Sequence, residues 1–490
     1  MEGHRTQVAR SLLWTALESF GLCGVSLISL VLYARVLAPQ ELGIAALALS
    51  VVQLLNVPVE MLFHDALIRH KEANARHYFT AFSASVFLGF LFCAMTWVGA
   101  DAVGRMLNDQ RVAPVLQWMS LSLPCMGFSS VVVAWHRRKM EFRNLAIRSF
   151  AGRVLGGLIG MSMALAGAGV WSLVGQQVSM VAISSLSLWM LASDRPRFRF
   201  HLNTCIELAR FGVMTTSLLL LALSIQRIFV LMVGAFLGSQ VVGYFNLAFR
   251  SVDVLRDLFA GAVSQIALPL FSRIQDDPVA LAEAFRSATQ FTCVLMYPVF
   301  IGLAVCSRDM VAVIFGAKWI DAAPLVAVIS LLTIYYFARM YAVPLMSARG
   351  RPQIPMLNMG LSIVSVVACM TLFGHQSMWW AVAIWAFSML IAAPVDFLMI
   401  RKFVGIPIVT QVRGLPKIFL CACGMALVVM AVRHWMPIET QAAVRLSAMI
   451  ISGALSYPIF LFAVDRGLAR RVAAFAFSVL GSRRLDQSPA

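Results

Sequence analysis

Apolar runs of about 18–25 residues recur along the whole chain between short polar turns, each long enough to cross ~30 Å of hydrocarbon as an α-helix. No alternation with a period of two competes with them, so the pattern predicts an all-α polytopic membrane protein and not a β-barrel. About fourteen transmembrane helices are expected, near residues 11–34, 43–63, 79–100, 113–134, 149–167, 170–192, 213–236, 241–266, 290–306, 321–345, 355–373, 378–399, 417–433 and 443–464. An even number places both termini on one side. The basic residues at the N-terminus precede an apolar run too long for a signal-peptide core, which is expected to be kept as the first helix.

The eighth run breaks the apolar rule. On a helix advancing ~100° per residue, Asn246, Arg250, Asp253, Arg256 and Asp257 fall within an arc of roughly 120°. A charge at mid-membrane costs about 2.5–3.5 kcal/mol even on the lenient scale, so this face must meet protein or water. Two readings follow from the spacing. The face lines a functional cavity, or its two cations and two anions neutralise one another three or four residues apart and hold helices together.

A repeat sharpens the picture. LAPQELGIAALA (37–48) aligns without gaps with LGSQVVGYFNLA (237–248), matching Leu37/Leu237, Gln40/Gln240, Gly43/Gly243, Leu47/Leu247 and Ala48/Ala248. The same offset sets Gln53 against Asp253 and Asn56 against Arg256, and Gln53, Asn56 and Glu60 form a polar stripe. A weaker echo pairs AGAGVWSLV (166–174) with the turn before Trp379. Repeats of six helices share orientation about an axis along the membrane normal. The expected organisation is an N-terminal six-helix lobe (1–200), a C-terminal six-helix lobe (201–405), and two further helices with a tail (406–490). Spans one, two, seven and eight would then enclose a cavity bearing Glu18, Arg227 and the ionic face. Outside it, Arg339 is expected to snorkel to the interface, Arg153 to sit near a span start, and Asp396 to make a surface contact with Arg401. His64 and Asp65 fall where span two emerges.

Composition agrees with the pattern: 60% of the 490 residues are hydrophobic and 12% are charged, with a mean hydropathy of +0.84. The net charge of +17 would suggest nucleic acid in a soluble protein. Here the basic residues crowd alternate short loops, including Arg137, Arg138, Lys139 and Arg143, Arg195 to Arg199, and Arg349 with Arg351. That asymmetry predicts a plasma-membrane protein with cytosolic termini and no nucleic-acid partner. The nine cysteines are scattered singly, mostly in apolar segments, and read as small apolar residues. No loop is long enough for a catalytic domain, no phosphate-cradling glycine loop appears, and the eight histidines are dispersed along the sequence. These features argue against an enzyme and give no metal site.

The motifs YARVLAPQELG (33–43), GAGVWSLVGQQ (167–177), LGSQVVGYFNLAFR (237–250), LPLFSRIQDD (268–277), FGAKWIDAAPLVAVIS (315–330) and SARGRP (347–352) together resemble the polysaccharide-transport family of lipid-linked oligosaccharide flippases. That family belongs to the multidrug/oligosaccharidyl-lipid/polysaccharide exporter superfamily. The resemblance implies two lobes opening alternately and translocation of undecaprenyl-pyrophosphate-linked repeat units for O-antigen, capsule or exopolysaccharide. It implies membrane lipids as surroundings, the polymerase and export machinery of the same pathway as partners, and no cofactor. Proton or sodium coupling stays open. On this reading Arg227, Arg250 and Arg256 would hold the pyrophosphate, while Glu18, Asp253, Asp257 and Glu60 would bind a coupling cation or reset the arginines. Where relatives often carry an acidic residue just before the position of Arg227, this chain has Gln226. Rival readings are a cation-coupled exporter of small drugs on the same plan, a polysaccharide polymerase or ligase, and a membrane scaffold.

Overall fold

The computed structural model describes residue 21 and residues 24–70, 73–192, 195–351, 353–437 and 440–471. Every regular element among them is helical. In chain order they are α1 (Gly24–Val36), α2 (Pro39–Met61), α3 (His64–Arg69), α4 (Ala75–Met106), α5 (Val112–Ser120), α6 (Ser122–Arg138), α7 (Phe142–Leu165), α8 (Trp171–Leu191) and α9 (Leu202–Leu237). There follow α10 (Ser239–Arg273), α11 (Pro278–Ile314), α12 (Ala323–Arg339), α13 (Ala342–Ala348), α14 (Gln353–Phe373), α15 (Met378–Val404), α16 (Ile408–Val412), α17 (Leu415–Trp435) and α18 (Ala442–Val464).

Eleven helical stretches among the described residues are long and apolar enough to cross a membrane. Three more occupy predicted spans and fall short for visible reasons. The part of span one that is described, α1, is short; α7 carries Arg143, Arg148 and Arg153; and α10 carries the ionic face. Together they account for the fourteen runs of the sequence.

Helix ends follow local chemistry. The Asn74 side chain accepts from the backbone N–H groups of Arg76 and His77 to start α4, and Asp277 does the same for Val279 and Ala280 before Pro278 opens α11. α9 and α10 are joined by Gly238 alone, at φ 86°, a backbone state that carries little penalty only for glycine.

The chain divides into two compact units, Met1–Gly261 with Met359–Ser388, and Ala262–Asn358 with Met389–Ala490. In the first unit α7 lies flush on α8. Gly152, Gly156 and Gly160 repeat every fourth residue and face Ser184, Met180 and Gln176, so backbones approach where a side chain would collide. The repeat is visible as a reciprocal contact. A Cβ on Gly43 would strike the carbonyl of Ser239, and a Cβ on Gly243 would strike the carbonyl of Pro39. Since Pro39 aligns with Ser239 and Gly43 with Gly243, contact and counter-contact are related as in a local two-fold.

In the second unit the structure corrects one expectation. Asp396 of α15 makes no surface contact with Arg401; it is buried, pairs with Arg339 of α12 at 2.7 Å, and accepts from Asn358 of α14. Arg339 therefore does not snorkel outward. A buried carboxylate needs a full counter-charge and hydrogen bonds, and only a neighbouring helix supplied both.

Candidate functional site

The ionic face of α10 opens on a cavity of about 320 Å³ inside the first unit. Serines 26 and 29 and Tyr33 enter from α1, Gln53 from α2, Arg153 from α7, and Gln176 and Gln177 from α8. Gln226 and Arg227 come from α9, and Asn246, Arg250 and Asp253 from α10. Behind this polar wall Phe229, Phe245 and Phe249 pack with Trp385 of α15, with ring centroids 5.4 Å apart for Phe229–Phe245 and 4.8 Å for Phe229–Trp385. That buried aromatic layer fixes α9 on α10 and so fixes Arg227 relative to Arg250.

Charge in the cavity is unequal. Its single carboxylate among the described residues, Asp253, is taken by Arg256 one turn on at 2.8 Å and accepts from Gln226 Nε2 at 3.3 Å. Arg256 also binds Asp257, which is largely exposed. Among the described residues, Arg227 and Arg250 have no hydrogen bond or ion pair. Arg153 donates to Ser26. Among the described residues, three guanidinium groups thus face a space whose one anion is already neutralised from the side.

A second cavity, of about 250 Å³, shares Gln53 and Arg227 and adds Asn56 and Glu60, whose side chains meet at 3.5 Å. Arg227 stands between the two spaces. Of the residues singled out in the sequence, Arg227, Arg250 and Asp253 meet in the first cavity and Glu60 lines the second. Arg256 and Asp257 pair with each other beside the first. Glu18 lies outside the described residues.

Sequence reasoning undervalued Arg153 and passed over Gln176, Gln177 and Tyr33. Two adjacent amides inside span six, opposite a stripe of glycines in span five, were the available signal.

At the α2–α10 crossing the Gly43/Gly243 contact is reinforced. Asp109, in the turn between α4 and α5, accepts from Ser239 Oγ at 2.9 Å and pairs with Arg111 at 2.9 Å, while Asn108 donates to the carbonyl of Ala235 at 3.0 Å. Burial works to raise the pKa of Asp109, yet the hydrogen bonds from Arg111 and Ser239 outweigh it and hold the carboxyl below its usual range. The carboxylate that closes this seam is charged at neutral pH.

Comparison with known proteins places these features. The model of a family described as "Polysaccharide biosynthesis protein" matches residues 32–324. The succinoglycan biosynthesis transport protein ExoT of Rhizobium meliloti (strain 1021) is 28% identical over 327 residues, 66% of this chain and 66% of that protein. The lipopolysaccharide biosynthesis protein WzxC of Escherichia coli (strain K12) is 23% identical over 328 residues, 65% of this chain and 66% of its own length. The matches span just under two thirds of these relatives. Among solved structures, the lipid II flippase MurJ in an inward closed conformation superposes with a TM-score of 0.76 at 15% identity, over 93% of this chain and 99% of that one. That likeness establishes the fold.

Proposed function

Because the chain belongs to the polysaccharide biosynthesis protein family, we propose that it is a transporter and not an enzyme. Its cargo on this reading is an undecaprenyl-pyrophosphate-linked oligosaccharide, moved from the cytosolic to the outer leaflet of a bacterial cytoplasmic membrane. The observation that carries the reading is the pair of guanidiniums, Arg227 and Arg250, that line one cavity and, among the described residues, make no hydrogen bond or ion pair. A pyrophosphate loses its hydration on entering the bilayer, and arginine forks replace that hydration with bidentate donors. The amides of Gln53, Gln176, Gln177 and Asn246 suit sugar hydroxyls.

The lobes at 1–200 and 201–405 would rock about the site in alternating access, with 406–490 as an added pair of helices. Asp253, with Asp257 through Arg256, would take back the arginine charge when cargo leaves. Glu60, in the second cavity beside Arg227, and Glu18 are the further carboxylates proposed for that reset or for a coupling proton or sodium ion. Polymerase and export proteins of the same pathway would receive the product.

Reconstitution tests the reading. Proteoliposomes carrying the purified chain and a lipid-linked oligosaccharide should expose the sugar to the opposite face well above protein-free vesicles. Movement of lipophilic cationic dyes without movement of the oligosaccharide would instead favour the drug-exporter reading, which the arginine surplus opposes.

Orientation follows from the basic loops, with both termini cytosolic. In a cysteine-free background, an impermeant thiol reagent applied to intact cells should label Gln376→Cys and miss Met140→Cys. The reverse result would invert the topology.

A further inference from the structure

The eight histidines are dispersed in the sequence, but the fold gathers two of them on one carboxylate. His70 caps the C-terminus of α3, His77 is in the first turn of α4, and Glu207 is in the second turn of α9. His70 Nε2 stands 3.2 Å from Glu207 Oε1, and His77 Nε2 stands 4.0 Å from Glu207 Oε2. The two rings lie 4.6 Å apart, and one ligand atom from each residue fits within 4.8 Å of the others.

We propose that His70, His77 and Glu207 bind a divalent transition-metal ion of the Zn²⁺ class. The ligand set is the first reason, since imidazole with one carboxylate suits zinc and its neighbours better than magnesium or calcium. The spacing is the second. Tetrahedral bonds of about 2.0–2.2 Å put ligand atoms roughly 3.3–3.5 Å apart, so the three groups, within 4.8 Å of one another, would close on an ion by side-chain rotation.

The third reason is the way the His77 ring is held. Asn74 Oδ1 is fixed as an acceptor by the N–H groups of Arg76 and His77, at 3.1 and 3.4 Å. His77 Nδ1 lies 2.8 Å from that oxygen and 3.4 Å from the backbone nitrogen of Asn74, so Asn74 holds the ring by its Nδ1 edge. That leaves Nε2 as the ring atom turned toward the Glu207 carboxylate, 4.0 Å away, a gap that a cation between them would fill. Metal-ligating histidines are characteristically held through the ring nitrogen that does not face the ion. His70 adds a buried Nδ1 with no partner among the described residues. Glu207, more than half exposed, leaves a way in from solvent and a fourth position for water.

The site sits on a seam. Gly212 of α9 lies so close to Leu62 that a Cβ would collide with its carbonyl, and the Arg69 guanidinium stacks over Phe211 at 4.7 Å. A bound ion would staple the first turns of α9 to the α3–α4 corner. Binding stands apart from the transport reading and can fail or hold without it.

The test uses the full-length protein in detergent, stripped with chelator and free of any polyhistidine tag. Titration with Zn²⁺, and with Co²⁺ followed by its visible absorption, should show one ion per chain. His70→Ala and His77→Ala should each weaken that binding at least ~100-fold. Glu207→Gln, at an exposed carboxylate and so safe for folding, should weaken it similarly and lose the tetrahedral Co²⁺ spectrum. Wild-type affinity no greater than that of the His70→Ala/His77→Ala double variant overturns the site, as does binding unchanged in Glu207→Gln. Either result leaves His70 hydrogen-bonded to Glu207 beside His77 and nothing more.

Discussion

Arg250→Ala should abolish oligosaccharide movement in proteoliposomes while leaving the protein folded and inserted. One guanidinium at 4 Å from a phosphate charge is worth about 4 kcal/mol at an effective dielectric of ~20, which is a loss of nearly a thousandfold when it is removed. Lysine at the position should restore only part of the activity, because it offers a point charge in place of a fork. The competing account makes Arg250 glue for Asp253. In that case Asp253→Ala would repair Arg250→Ala, since deleting both members leaves no buried orphan. The geometry already opposes repair: Asp253 is held by Arg256 at 2.8 Å and by Gln226, while Arg250 makes no hydrogen bond or ion pair with it and acts on it only through its charge at longer range. Near-normal flipping by the Arg250→Ala/Asp253→Ala double variant would sink the pyrophosphate role. Arg256→Ala offers an internal contrast, because it should act through Asp253 and respond to Asp253→Ala where Arg250→Ala does not.

That contrast shows where sequence reading stops. Helical periodicity puts Arg250 and Arg256 both three residues from Asp253, on either side, and nothing in the spacing says which one pairs. The choice is made by Gln226, which approaches from α9 and occupies the remaining oxygen. Asp396 teaches the same lesson. Its nearest cation in the sequence is Arg401, but its partner is Arg339 on another helix. Spans were legible because hydrophobic length alone decides them, and the polar face of α10 was legible because the membrane makes any exception costly. Cavity walls from α7 and α8 were hidden, since Arg153 lies near a span end, where snorkelling is an adequate explanation until Ser26 is seen beside it. The histidine pair was hidden because α9 supplies the third member from far along the chain.

The aligned glycines carry the second large expectation, Gly43→Ala. Neither site has space: a Cβ at Gly43 would lie 1.7 Å from the carbonyl oxygen of Ser239, and one at Gly243 2.0 Å from that of Pro39. Both obstacles are backbone atoms, so relief requires α2 and α10 to separate at their first turns. Overpacking of this kind costs about 1–3 kcal/mol, enough to lower the population of the closed seam by roughly 5- to 150-fold. On the proposed topology this seam is on the outer side, and the Asp109–Ser239 and Asn108–Ala235 hydrogen bonds close it with the glycines. Gly43→Ala should therefore raise access to the cavity from outside and depress flipping, because the state that loads from the cytosol becomes rare. Ala46→Cys, on the cavity wall, reports the first effect through its labelling rate with an impermeant reagent. Asp109→Asn removes the charge and weakens the hydrogen bond but adds no bulk, so it should shift the same rate in the same direction by less. If Gly43→Ala leaves both labelling and transport unchanged, the seam does not part during the cycle, and the alternation of the two repeats must occur elsewhere in the bundle.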